Sequence, residues 1–370
     1  MIVVFTSSLI AIMLAYMSAI PKFKKLKLFE LSFFLVTFIS CIHYNYGTDY
    51  ATYYYSFLEL SHNDRVLEYI RNGYYNEPGW VFLNYIFPKP YGFFGIVAIL
   101  NAIQNYIYYR FIRENIYSKK RWVSLSLYLF LTNFYVLNFS MKRQGFAIAL
   151  CLASGMYTGE KKWIPAVIVV LLASTFHLSA LIFLPFIFLG FLPLKKGHIY
   201  AITFFAASSV LFLVKNSTTK VFTLLLDNAS SMRIYLDYSN TIESWGNTLG
   251  IGFILNSVLY LVLFFTISKN FEEFPFKQKL FLLYSCVPFL IIPFQITITG
   301  IMGRLGTYFA VYQIVMVPII YSKLKNVLVR YVVTIIYIFM MFVGYYRFFF
   351  NSWSASAYST FHTIFEVFWQ

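Results

Sequence analysis

The chain has 370 residues, of which 60% are apolar and only 12% charged, with a mean hydropathy of +0.68. Ordinary soluble domains carry about 25% charged residues, so this composition excludes one and points to a protein of the lipid bilayer. The net charge of +15 is confined almost wholly to one side of the predicted membrane, which excludes reading it as a nucleic-acid footprint.

Apolar runs follow one another from end to end: Ile2 to Ile20, Leu31 to Tyr46, Tyr91 to Ile112, Trp122 to Leu137, Gly145 to Tyr157 and Trp163 to Phe176. They continue as Leu178 to Phe191, Ile199 to Val214, Leu249 to Ile267, Leu280 to Ile298, Leu305 to Tyr321 and Tyr331 to Tyr346. The pattern predicts an all-α polytopic membrane protein of about twelve transmembrane helices, several shorter than a perpendicular span requires. The first run is followed, not preceded, by basic residues, so it reads as a retained helix rather than a secretory leader.

Alternate connections hold the positive charge: Lys22 to Lys27, Arg110 to Arg121, Lys161 and Lys162, Lys195 and Lys196, Lys269 to Lys279, and Lys323 to Arg330. Nineteen bases and five acids fall on that side, ten bases and nine acids on the other. The positive side is cytoplasmic, which places both termini outside. Three longer segments interrupt the rhythm on the outer side. Residues 47–90 form an outer loop in which Tyr53 to Ile70 has the make-up of an amphipathic interfacial helix, residues 215–248 form a second outer loop, and residues 347–370 form an aromatic interfacial tail. Within Trp163 to Leu194, lysine pairs at both ends imply two short crossings or a re-entrant hairpin, with His177 at its outer tip.

Ionisable groups at membrane depth cost several kcal/mol and mark functional sites by default. Arg143 and Arg304 precede apolar runs, where a guanidinium and the positive end of a helix dipole would together suit a phosphate. Lys142 stands beside Arg143, and Gly300 and Gly303 would let backbone approach the same anion. An arginine so placed also serves simply to anchor a helix end among lipid headgroups. His177 has the side chain for proton transfer near neutral pH, although a lone histidine in an apolar stretch is commonly a packed core residue. Asp49 and Glu77 are the acids nearest to outer helix ends, and either carboxylate could accept a hydroxyl proton. Cys41, Cys151 and Cys286 each fall inside a predicted span, giving no disulfide framework and no metal cluster. There is no Walker A loop, dinucleotide fingerprint, HExxH or G-x-S-x-G sequence, so no cofactor is implied.

The strings Tyr46-Gly47-Thr48-Asp49-Tyr50, Glu77-Pro78-Gly79-Trp80, Lys142-Arg143-Gln144, Phe176-His177-Leu178-Ser179-Ala180 and Arg304-Leu305-Gly306-Thr307-Tyr308-Phe309 together resemble the EpsG-like branch of Wzy polysaccharide polymerases. The resemblance implies a metal-independent, GT-C-like glycosyltransferase of the bacterial inner membrane. Its expected substrate is an oligosaccharide linked to undecaprenyl diphosphate, polymerised at the periplasmic face, with a Wzx-like flippase and a Wzz-like chain-length regulator as partners. It further implies that Arg143, Arg304 and Lys142 bind the diphosphate, and that His177, Asp49 or Glu77 activates the acceptor. The alternative is a flippase for the same lipid-linked oligosaccharide. An O-acyltransferase fits less well, because its histidine would face a cytoplasmic acyl donor.

The charge split makes a direct prediction. In intact spheroplasts, Asn63→Cys and Ser239→Cys should react with a membrane-impermeant thiol reagent and Ser118→Cys should not; labelling at Ser118 alone would invert the topology.

Overall fold

The computed structural model describes residues 1–63, 65–71, 77–131, 134–214, 255, 258–259, 261–262, 265, 269–295, 299–350 and 355–368. The described residues are almost wholly helical, with one two-residue antiparallel ladder, His43–Tyr44 against His362–Thr363. The first ten α-helices are α1 (Ile2–Met17), α2 (Leu28–Ile42), α3 (Tyr50–Leu60), α4 (Val66–Arg71), α5 (Pro78–Ile86), α6 (Gly92–Asn115), α7 (Arg121–Phe130), α8 (Leu137–Ser140), α9 (Lys142–Gly159) and α10 (Trp163–Phe176). Beyond a segment of short helical turns over Leu178–Phe191, the chain continues in helices Gly197–Leu213, Phe276–Gln295, Thr299–Ala310, Gln313–Lys323 and Val327–Phe350.

Helix α9 is the hub. It packs against α6, α10, Phe276–Gln295 and Thr299–Ala310, and Ala147, Ala149, Cys151, Leu152 and Ser154 on it have no exposed surface. Small side chains make this possible, because without a hydrophobic drive between helices in lipid, close van der Waals approach carries the association. Ser154 Oγ donates to the Ala166 carbonyl of α10 at 2.8 Å. At Gly155 a Cβ would lie 1.8 Å from the Tyr312 hydroxyl, so only glycine fits there. A second polar seam joins α2, α6 and α7: Asn101 Nδ2 donates to the Ser40 carbonyl at 2.8 Å, Asn105 Nδ2 to Ser40 Oγ at 3.1 Å and the Tyr128 hydroxyl to Asn105 Oδ1 at 2.8 Å.

The periphery is inverted relative to a soluble protein. Helix Val327–Phe350 is long and apolar enough to cross a membrane, yet only 11% of its most apolar window is buried. Leu328, Tyr331, Ile335 and Phe342 project outward, each more than 60% exposed. An outward apolar face of this kind is satisfied by lipid.

Several predicted elements are redrawn. The run Leu305 to Tyr321 is not one helix: Arg304–Ala310 and Gln313–Lys323 meet at a 51° bend. The Trp122 to Leu137 run is also divided, into α7 and α8. The amphipathic segment Tyr53 to Ile70 becomes α3 and α4, because His62 adopts a left-handed conformation (φ 52°) that ends the helical path. The apolar stripe of α3, Tyr50, Tyr53, Phe57 and Leu60, is buried as the spacing requires. Helix Val327–Phe350 runs past Arg347, so the tail starts later than expected and carries a short helix of its own, Phe365–Phe368. The second outer loop, 215–248, lies outside the described residues. Among the described residues one helix qualifies alone as a span and the bent pair makes a second, with Ile2–Met17, Leu28–Ile42, Trp163–Phe176 and Leu178–Phe191 as shorter apolar segments.

The Gly155 contact yields a stability test. Gly155→Ala should cost about 1–3 kcal/mol by overpacking, read as a lower unfolding temperature in detergent. Tyr312→Phe, which removes the nearest atom, should recover part of that loss in the double variant.

Candidate functional site

Three residues from separate parts of the chain meet at one carboxylate. Glu77 stands immediately before Pro78, the first residue of α5, where proline's fixed φ suits a helix start. His177 lies between the end of α10 and the turns of Leu178–Phe191, with extended backbone (φ −155°, ψ 112°). The expected hairpin break is therefore present, with the histidine in it. Arg143 is the second residue of α9. Glu77 Oε1 accepts from His177 Nδ1 at 2.7 Å, and Oε2 pairs with Arg143 Nη1. The side chain of Glu77 is 9% exposed, that of His177 14% and that of Arg143 35%.

Glycine sets the approach of α5 to α10. A Cβ on Gly79 would meet Thr175 Oγ1 at 2.2 Å and its carbonyl oxygen at 3.1 Å. Thus the Gly of Glu77-Pro78-Gly79-Trp80 seats the acid against the end of α10, two residues before His177. Trp80, 2% exposed, then packs edge-on against Tyr53, with centroids 5.3 Å apart. The Arg143 guanidinium lies over the Tyr53 ring, 5.4 Å from its centroid. Burial holds the Tyr53 phenol above its ordinary pKa; Arg143 opposes that shift, while Asp49 and Glu77 reinforce it.

Arg304 does not open a helix as expected. It lies more than a turn inside Thr299–Ala310, and Gly300 and Gly303 belong to the same helix. Its backbone nevertheless reaches the site, since its carbonyl accepts from Gln144 Nε2 at 3.3 Å, beside Arg143. Tyr308, one turn on and on the same helix face, shares a 2.9 Å hydrogen bond with Ser179, two residues after His177. The Phe176-His177-Leu178-Ser179-Ala180 and Arg304-to-Phe309 strings are thus structural neighbours.

Asp49 precedes α3 and is partly exposed, without capping that helix through its side chain. Thr48 Oγ1 donates to Asp49 Oδ1 at 3.1 Å and also bonds Ser140 Oγ, to which the Asp49 backbone N–H donates at 3.3 Å. Gly47, at φ 129°, comes so close to the Phe139 carbonyl that a Cβ would lie 2.2 Å from its oxygen. Asp49 therefore sits one turn before Tyr53 on the rim of the cluster, not within the Glu77 network.

Lys142 is corrected. It is 3% exposed, and its ammonium donates to His43 Nε2 at 2.6 Å and to the Asn138 and Phe139 carbonyls at 2.9 and 3.3 Å. An ammonium has three donors, and these three acceptors use them. His43 Nδ1 donates to the Ser40 carbonyl at 2.6 Å, which fixes Nε2 as the acceptor. Lys142 is a buried clamp on the α8–α9 turn and not a diphosphate ligand. Neither His43 nor Ser140 was visible as a partner, because each lies over 90 residues away from the group that it holds.

The packing at Gly79 predicts the effect of one methyl group. With Glu77→Cys and His177→Cys in place, a short bifunctional thiol reagent should crosslink the two positions efficiently. Adding Gly79→Ala should cut that yield severalfold, because the clash with Thr175 moves the start of α5 away.

A family model described as the EpsG family matches residues 26–362. No curated protein and no solved structure gives a significant match. The matched range takes in every element that builds the Glu77 cluster, from α3 to the helix bearing Arg304, and leaves out only the ends of the chain. It follows that this membrane protein belongs to the EpsG family, whose members act in polysaccharide biosynthesis.

Proposed function

We propose that the chain is a polysaccharide polymerase that transfers a growing glycan from undecaprenyl diphosphate to a hydroxyl of the next lipid-linked repeat unit. The reaction takes place at the periplasmic face of the inner membrane, in a bundle of about twelve spans with a GT-C-like arrangement. A Wzx-like flippase supplies the units and a Wzz-like partner sets chain length. The observation that carries this reading is the Glu77 carboxylate held between Arg143 and His177.

An ionised carboxylate only accepts, so the proton between Glu77 and His177 sits on Nδ1, which leaves Nε2 as the basic nitrogen of the ring. The acceptor hydroxyl gives its proton to Nε2 as its oxygen bonds to the anomeric carbon of the donor. The bond from that carbon to the diphosphate oxygen breaks, and its electron pair remains on the leaving diphosphate. Glu77 stabilises the imidazolium that forms. Arg143, at a helix N-terminus whose dipole reinforces its charge, faces the developing phosphate charge, and Arg304 supports it from the neighbouring helix. Both oxygens of Glu77 are engaged, which makes it an orienting residue and His177 the base. Asp49, on the rim, orients acceptor hydroxyls. The arginines supply the positive charge without a metal.

A flippase needs cations for the same diphosphate but has no acceptor hydroxyl to deprotonate. The imidazole–carboxylate pair beside the arginine therefore favours transfer chemistry over transport.

The test is glycan electrophoresis after complementing a deletion strain. Arg143→Ala and Arg304→Ala should each leave single capped repeat units at normal protein level, and Arg→Lys should rescue poorly because an ammonium cannot copy a planar fork. His177→Gln should lower turnover about 10²–10⁴-fold, the range for a general base. Wild-type polymer from His177→Gln would remove the base; loss of even the capped single unit would favour the flippase.

A further inference from the structure

Most of helix α9 is buried by its neighbours. Lys142, Gln144, Ala147, Ile148, Ala149, Cys151, Leu152 and Ser154 are buried, whereas Arg143, Ala153 and Tyr157 are partly exposed, with Phe146 and Leu150 just beneath the surface at 5% and 7%. Counted from Arg143, Phe146, Leu150, Ala153 and Tyr157 stand at +3, +7, +10 and +14, so they share one face of a helix of 3.6 residues per turn, and that face becomes partly exposed at Ala153 and Tyr157. The face begins at the proposed phosphate ligand. About 10 Å down the axis, a length set by the helical rise, it enters a cleft of about 210 Å³ between α6, α9 and α10. Ile107, Leu150, Ala153, Met156, Tyr157 and Val169 line this cleft, with Arg110 and Glu160 at its far end.

The lining is hydrocarbon and aromatic, and the volume exceeds the roughly 150 Å³ that accepts a benzene-sized apolar guest. The two charges at the far end are already satisfied: Arg110 Nη2 pairs with Glu114 at 2.7 Å, and Glu160 pairs with Lys162 at 2.9 Å and Lys277 at 3.6 Å. What the cleft itself presents to a ligand is therefore its apolar wall. It fits a ligand that leaves its charge at Arg143 and brings only hydrocarbon this far.

We propose that the α6–α9–α10 cleft binds the polyprenyl tail of the donor whose diphosphate meets Arg143. One continuous face of α9 then reads both ends of the substrate, the head by charge and the tail by apolar burial, and selects long-chain lipid diphosphates over short ones. This inference rests on the donor-diphosphate reading of Arg143 given above.

Binding to the full-length protein in detergent tests it, with undecaprenyl diphosphate, dimethylallyl diphosphate and inorganic pyrophosphate as probes. Wild type should prefer the long chain. Ala153→Leu, which fills the cleft, should weaken undecaprenyl diphosphate about tenfold and leave the two shorter probes unchanged, whereas Arg143→Ala should weaken all three. In the wild-type protein, a polyprenyl diphosphate carrying a benzophenone along its tail should label the Leu150–Tyr157 stretch. Excess undecaprenyl diphosphate should block that labelling and phosphatidylglycerol should not. Equal loss for all probes in Ala153→Leu, no loss for any, labelling elsewhere, or equal competition by phosphatidylglycerol would overturn the tail site while leaving the Arg143 reading intact. If no diphosphate binds the wild type, the donor reading and the tail site fall together.

Discussion

A carboxylate that is nine-tenths buried cannot stay ionised without partners, and Glu77 has two, each from a different helix junction. Removing one partner leaves the remaining charge less well compensated, and solvent reaching the partly exposed guanidinium moderates the cost on that side. That requirement fixes the mutual positions of α5, α9 and the break after α10. It also makes the arrangement chemically useful, since the same carboxylate that neutralises Arg143 selects the His177 tautomer.

The surrounding packing supplies the geometry that electrostatics then exploits. Gly79 lets α5 touch Thr175, and Tyr53, backed by Trp80, sets an aromatic ring against the guanidinium. A planar, weakly hydrated guanidinium tolerates that environment better than an ammonium. Lys142, its neighbour, points instead into the α8–α9 turn, where His43 and two carbonyls hold it. Adjacent residues at a helix start face different directions because successive positions are rotated by about 100°. One basic residue therefore faces the site and the next locks the helix N-terminus in place.

The end of the chain returns to the same region. His362–Thr363 pairs with His43–Tyr44, the Gly47 N–H donates to the Ala357 carbonyl at 3.2 Å, and Tyr358, 1% exposed, packs on Tyr46 with centroids 4.9 Å apart. The tail thus braces the Gly47–Asp49 turn from behind. The Met1 amine donates to the Tyr358 carbonyl at 3.1 Å, bringing α1 into the same brace.

The sequence by itself determined the solvent class, the helical content, the candidate charges and the tip position of His177, because each follows from composition, local period or the cost of a charge in an apolar run. The family could also be read there, from five short strings whose glycines and acids prove to be contact points. Tertiary structure alone decided which charges meet. Glu77 and His177 are 100 positions apart, Glu77 and Arg143 are 66, and no local rule distinguishes an arginine at a site from one among headgroups. It also decided that Lys142 turns inward, that the Leu305 to Tyr321 run bends by 51°, and that the tail folds back beneath Asp49. These outcomes depend on long-range packing and on satisfying buried polar groups across helices, where local propensity is overridden by the need to pair every buried charge.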